Sequence, residues 1–308
     1  MSKHCLFLFI ISLFVLCCAN APAKQDSIPA NNNQQERLSI VHPPLPNELS
    51  FANEPVPIQN FDTRESLARE LTVITYWHAS MIYTLQLANR FFPVIEPILK
   101  EEGVPDDFKY LCVAESNLQQ LISPARAVGF WQFLEGTAKE FGLQVNAEID
   151  ERYHIEKSTR AACAYLKKMY QRYGTWALAA ASYNVGGNNI DRYIQVQKEK
   201  NYYDLLLPEE TGRYVFRAIA FKQIMTRPED YGFLLKQEEL FPLLEWDELT
   251  VNTAIESWAD FAATHGTNYK ILKYFNPWLR HTSLTNAKKE SYIIKIPKKG
   301  WRENAYDK

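Results

Sequence analysis

A chain of 308 residues with 46% hydrophobic and 13% aromatic content has room for one large or two modest domains and enough apolar mass for a core, which excludes wholesale disorder. Its formal net charge of −2 supplies no global basic field, so no nucleic acid is expected as a partner. There is no glycine-rich phosphate loop and no Cys-x-x-Cys or His-x-x-x-His spacing, and His78, His154, His265 and His281 are scattered, so no metal site is expected.

Lys3 and His4 precede an apolar run from Cys5 to Cys18, and the small residues Ala19, Ala21 and Ala23 follow. The run is short for a membrane span and has the shape of a secretory signal over residues 1–23, with Ala21-Pro22-Ala23 fitting an A-x-A cleavage site. Lipidation of Cys18 after signal removal is the alternative, and it would anchor the chain to a membrane. The preceding Val15, Leu16 and Cys17 match a bacterial lipobox poorly. Either route places the protein outside the cytoplasm, in the periplasm or cell envelope. With the signal set aside only Cys112 and Cys163 remain, which is not a disulfide framework; two buried thiols and a single bridge both fit. Residues 24–60 are rich in Pro, Asn and Gln and are expected to be a flexible tether.

A helix is expected from Asp62, with Asp62 as cap and Glu65 completing a capping box, and Leu67, Leu71, Ile74, Met81 and Leu85 recur at helical spacing. A second helix carries Phe91, Phe92, Val94, Ile95 and Leu99 and stops at Gly103. Pro105 is suited to open the next helix, with Asp106 and Asp107 favourable to its dipole. On it Phe108, Leu111, Cys112 and Glu115 fall at i, i+3, i+4 and i+7 and share one face, while Asp106, Asp107 and Lys109 are expected near water. Residues 123–134, with Ser123-Pro124 and Gly129, read as a loop. Further helices are expected over Thr137 to Phe141, Ser158 to Tyr173 with Gly174 as stop, the alanine-rich Trp176 to Tyr183, 188–200 and 210–226. Pro228 to Pro242 reads as a connection. Short strands at Leu249–Asn252 and Tyr292–Ile296 enclose two helical periods, Ile255/Trp258/Ala262 and Tyr269/Leu272/Phe275. The fold class is therefore mainly α, with an all-α domain over 61–230 and a small α/β strand–helix–helix–strand unit over 245–300.

Glu115 is the residue with most chemical content. A carboxylate that extends an apolar stripe must be paired, protonated or catalytic. Apolar surroundings raise its pKa and let it hold a proton for donation, as cleavage of a glycosidic bond requires. Glu135, Glu140, Asp150, Glu151 and Asp191 lie in charged or capping contexts and read as solvated or structural, with Asp150-Glu151-Arg152 fixing a loop through an ion pair.

Three segments in order, Glu115-Ser116, Gly129-Phe130-Trp131-Gln132-Phe133 and Tyr183-Asn184-Val185-Gly186, resemble the signatures of lytic transglycosylases of the goose-lysozyme-like class, nearest to the membrane-bound type D subgroup. The segments Asp150-Glu151-Arg152 and Glu156 to Ala162 are similar to that subgroup's connecting region, so the resemblance covers about residues 62–225. It implies a lysozyme-like all-α catalytic domain, peptidoglycan glycan strands as substrate, no cofactor, and cleavage of the N-acetylmuramic acid to N-acetylglucosamine β-1,4 bond without water, leaving a 1,6-anhydro end. Glu115 would act twice, as acid and then base, with the substrate acetamido group as internal nucleophile. By the same resemblance Tyr183 would orient Glu115 or substrate, Asn184 would hold a turn or an acetamido group, and Gln132 would bond substrate. Ser116 would steady the leaving side or the loop, Gly129 would admit backbone close to sugar, and Phe130 and Trp131 would stack on sugar or pack inside. Helix-end capping is the plain alternative for Ser116 and Asn184.

The chain departs from the pattern at Ala125-Arg126-Ala127, where relatives carry more glycine, and at Ser182. Arg126 would narrow the groove or meet a lactyl or peptide carboxylate. The tail from about 249 to 297 resembles a degenerate LysM module, a binder of N-acetylglucosamine chains, with Asn276-Pro277 and Ile296-Pro297 in register. The glycine usual at its first strand-to-helix turn is replaced in the run Asn252-Thr253-Ala254-Ile255, so a packing appendage fits as well as a binding module. A muramidase that admits water, or a non-catalytic wall-binding protein that keeps the groove, are the competing functions.

Overall fold

A computed structural model describes residues 41–306; the expected signal segment, Cys18 and the first part of the tether lie outside the described residues. Residues from His42 onward form one unit. It begins with a two-stranded antiparallel hairpin, β1 (Ser50–Phe51) and β2 (Glu54–Pro55). Phe51, Ala52, Val56 and Ile58 are buried in the helical core, so the tether does not extend to residue 60. The composition that suggested a tether is polar on average, but four apolar side chains in eight residues suffice to dock this stretch. Asp107 accepts a hydrogen bond from the Ala52 N–H at 2.7 Å and clamps it.

The helical body comprises α1 (Phe61–Tyr76), α2 (His78–Glu101), α3 (Phe108–Ser116), α4 (Glu135–Glu140), α5 (Ile155–Tyr173), α6 (Trp176–Val185), α7 (Gly187–Gln197) and α8 (Glu209–Thr226). Asn60, not Asp62, stands at the N-cap of α1, and neither side chain makes a capping bond there. Trp77 breaks the stripe between Ile74 and Met81, so Met81 and Leu85 belong to α2. That helix runs through Pro93 and Pro97; both are exposed, which leaves the carbonyls they free to water. Asp107 rather than Pro105 precedes the first helical residue of α3. Seven of the nine residues of α3 are buried, Lys109 among them. The expectation that Lys109 points to water fails because Glu96 at 2.7 Å and Asp106 at 2.5 Å pair its ammonium against the body. Four of the six buried positions of helix α6 are alanine, which lets α5 and α8 approach it closely.

The C-terminal unit has β3 (Trp246–Val251) antiparallel to β4 (Tyr292–Pro297), with α9 (Trp258–Thr264) and α10 (Tyr269–Phe275) between them and a last turn α11 (Trp301–Asn304) beyond. Register runs from Trp246 opposite Pro297 to Val251 opposite Tyr292. Ile255 lies before α9, in a bridge to Leu284. The mainly-α class with a small α/β tail is the architecture expected from the sequence. A second hydrophobic core gathers Trp258, Leu272, Trp278 and Ile294 of this unit with Val128, Ile149 and Tyr153 of the helical body. The tail is thus sealed mainly onto the segment between α4 and α5, with Ile149 bridging Leu279 and the Asp150 N–H donating to the Trp278 carbonyl at 2.9 Å.

Candidate active site

Glu115 occupies the last turn of α3, where the helix axis delivers it to the edge of the core. The helix ends at once: Asn117 (φ 50°) and Leu118 (φ 57°) are both left-handed, and Leu118 is fully buried. Two successive non-glycine residues in that region are strained and persist only where packing over-determines them. The left-handed pair ends α3 immediately after Glu115-Ser116.

The loop 121–134 is held by its carbonyls. Ser116 Oγ donates to the Phe130 carbonyl at 2.8 Å, Tyr183 Oη to the Trp131 carbonyl at 2.8 Å, and Gln132 Nε2 to the Gly129 carbonyl at 2.7 Å. Arg152, paired with Asp150 at 2.7 Å, reaches the carbonyls of Arg126 and Phe133, and Trp131 donates its indole N–H to Thr159 at 2.9 Å. Ser116 and Tyr183 therefore bring the first and third sequence motifs onto the second, and the three meet around Glu115. The Asp150–Arg152 ion pair fixes the loop, as expected from its sequence.

Other expectations need correction. Phe130 and Trp131 are buried, Phe130 edge-to-face against Phe91 at 4.8 Å, so neither offers a face for a sugar. Gly129 (φ 84°) is required by the protein's own backbone: a Cβ there would stand 2.1 Å from the Arg152 carbonyl oxygen. Tyr183 does not hydrogen-bond Glu115, since its hydroxyl serves Trp131. Asn184 does not end α6, which runs on to Val185. Its Oδ1 accepts from Thr211 at 2.8 Å and joins α6 to α8. Gln132 (φ 49°) is half-buried, and its amide nitrogen is spent on the loop, which leaves its carbonyl oxygen for a ligand.

The hydroxyl that meets Glu115 comes from Tyr214 on α8, in a short hydrogen bond to Oε1. Tyr214 is buried on the same stripe as Thr211, Val215 and Ala218, so a tyrosine at helical spacing among core residues was the available signal; a buried phenol needs a partner. Burial pushes the Glu115 carboxyl up from 4.5 to about 7, against the lowering effects of the Tyr214 bond and the Arg217 charge. The Tyr214 hydroxyl itself is pushed well above its ordinary range by burial and by the carboxylate. It remains a neutral donor while Glu115 holds or releases a proton near neutrality. Arg217 is turned aside by Glu210 at 2.9 Å, with buried Glu70 at 3.7 Å.

The remaining acids are committed elsewhere: Glu135 to Lys139, Glu140 to Lys168, Glu151 to Lys157 and Asp191 to Arg172. Among the described residues no group of three or more His, Cys, Asp and Glu is placed to hold a metal ion. Cys112 and Cys163 are free and buried. An apolar cavity of about 530 Å³ between α2 and the C-terminal unit is the sort of pocket first suspected as a site, but its lining lacks Glu115. The carboxyl with the raised pKa, not the cavity, is therefore the candidate site.

Comparison with known proteins gives two domain matches. Residues 92–206 match the transglycosylase SLT domain, and residues 247–300 match the soluble lytic transglycosylase C-terminal LysM-like domain. Two curated relatives, both named membrane-bound lytic murein transglycosylase D, come from Escherichia coli K12 and from E. coli O6:H1 strain CFT073. Each is 28% identical over 207 residues, which is 65% of this chain and 45% of the relative. The chain thus spans less than half the length of the curated relatives it matches.

Proposed function

We propose that this chain, which carries an SLT transglycosylase domain and a LysM-like C-terminal domain, is an envelope-associated peptidoglycan lytic transglycosylase. In this reading residues 61–230 form the catalytic domain, residues 245–300 an accessory unit, and the glycan strand is the substrate. The observation that carries it is Glu115: one carboxyl with a pKa of about 7, a neutral tyrosine as its partner and every neighbouring acid already paired.

The reaction needs a group that gives a proton and takes one back. Protonated Glu115 donates to the oxygen of the N-acetylmuramic acid to N-acetylglucosamine bond as it breaks. The substrate acetamido oxygen supports C1, a documented exception to the two-carboxylate rule, so no second acid is required. The Glu115 carboxylate, held by Tyr214, then accepts the proton of the muramyl 6-hydroxyl as that oxygen closes on C1. In this reading the Gln132 carbonyl oxygen accepts from a substrate hydroxyl or amide, supported by its amide nitrogen being the only end spent on the loop. Ser116, Gly129, Phe130, Tyr183 and Asn184 act through the shape of the loop and helix ends rather than by touching sugar.

The full chain incubated with purified sacculi should release muropeptides one water lighter than hydrolysis products, read by mass spectrometry. Hydrated reducing ends would assign a muramidase with the same acid. Retention on sacculi without product, unchanged by Glu115→Gln, would assign a wall-binding protein instead.

A further inference from the structure

A recess of about 780 Å³ is lined by part of the 121–134 loop and by three arginines: Arg152, engaged by Asp150, and Arg126 and Arg280, which come from different parts of the chain. Arg126 lies on the loop itself, left-handed at φ 64° and exposed, and its guanidinium makes no ion pair or hydrogen bond among the described residues. Arg280, also exposed, follows α10 in the C-terminal unit. Its guanidinium carbon stacks 4.1 Å over the Tyr153 ring, and of its five N–H donors one is used, on the Pro277 carbonyl at 2.9 Å. Stacking fixes the plane of a guanidinium and leaves its edge for a bidentate acceptor.

Nearby acids are spoken for. Asp150 and Glu135, which themselves line the recess, are paired with Arg152 and Lys139, and Glu148 accepts from the Thr285 N–H and hydroxyl. Lys273, with its pKa drawn down to about 8 by burial and by Arg280, adds positive potential on that side. The walls between the arginines are apolar and exposed at Ile122 and Leu134. Leu134, in the wall of the recess, is two residues from Gln132, at most about 7 Å of chain, so the recess and Gln132 share one loop.

We propose that this recess is a carboxylate subsite that holds the peptide stem of the muramyl residue engaged at Glu115, with Arg126 and Arg280 as specificity-determining residues. This rests on the reading of the chain as a peptidoglycan enzyme. The apolar walls suit the aliphatic side chains of a stem, and the two guanidiniums suit its free carboxylates. Arg280 gives the C-terminal unit a part in substrate choice that does not need glycan binding by that unit.

The test uses peptide-bearing glycan fragments and the same fragments with their carboxylates converted to methylamides. Two readouts are taken: kcat and KM of the full chain, and Kd of its Glu115→Gln form. Arg126→Gln/Arg280→Gln should raise KM and Kd about tenfold on the free-carboxylate fragments with kcat retained, and wild type should lose the same factor on methylamidation. On the methylamides wild type and variant should converge. Arg126→Gln alone, which breaks no internal contact, should show part of the effect, and Arg302→Gln, on the exposed last turn, none. Equal losses on both substrates, or none on either, would overturn the subsite. If wild type cleaves neither fragment the proposed activity fails, while the Kd comparison still decides the subsite.

Discussion

Two half-buried carboxylates in this molecule have opposite fates. Glu115, at the end of α3, is pushed up to about 7; Glu156, at the start of α5 where the C-terminal unit meets the body, is drawn down to about 2. Burial is the largest influence on both and raises both. At Glu115 the opposing partners are a neutral phenol and an arginine already engaged by Glu210. At Glu156 they are the ring of His154, whose Nδ1 lies 3.1 Å away, and the ammonium of Lys295 on β4, in a short ion pair. Desolvation therefore does not decide whether a half-buried acid stores a proton or anchors a seam. The charge of its nearest partner does.

The comparison can be broken at either end. The largest effect should be on turnover: Glu115→Gln should lower kcat on sacculi by about a thousandfold, within the range for loss of a general acid–base group. Wild-type activity should fall as pH rises through about 7, because the proton to be donated is then gone. A pH-independent rate from acid to neutral would separate this residue from the chemistry.

Next in size is the stability of the same variant. The folded-state pKa of Glu115 is raised, so the stability its carboxyl contributes is complete below about 4.5 and lost as pH rises to about 7. Glu115→Gln should gain on wild type by on the order of 2 kcal/mol between pH 4 and pH 8, read from denaturant midpoints. Glu156 carries the opposite sign. Its contribution is present above about 4.5 and lost as pH falls to about 2, so Glu156→Gln should cost about 1–2 kcal/mol at pH 7 and nothing at pH 2. A loss that does not shrink with acid would assign Glu156 a packing role.

The smallest and most discriminating change is Tyr214→Phe. It removes the bond that favours the carboxylate, so the descending limb of the pH profile should move to higher pH and kcat should drop about tenfold. An unmoved limb would mean that Tyr214 merely packs.

Much of this was legible in the chain. The stripe Phe108, Leu111, Cys112, Glu115 follows from 3.6 residues per turn, and α5 to α8 and the two strands of the tail lie close to where periodicity and glycine stops placed them. Boundaries erred where a local rule met a competing contact. Leu85 joined α2 because Trp77 breaks the helix, and the hairpin at 50–55 docked although its surroundings are polar in composition. Of the proposed site residues, Glu115 and the half-free Gln132 are the ones left with groups to offer a substrate. Gly129, Phe130 and Tyr183 serve loop architecture, and a motif does not distinguish a residue that touches sugar from one that shapes the turn.

The linear order of residues by itself determined which side chains share a helix face, because that geometry is set by backbone repeat over a few residues. It thereby put one acid on an oily stripe. Only the packed molecule decided that Tyr214, 99 positions away, would meet that acid, that Phe130 would be inside, and that Arg280 would line the same recess as Arg126. Those outcomes depend on desolvation and on pairing between segments far apart in the chain, and both are properties of how helices and the C-terminal unit pack, not of local spacing.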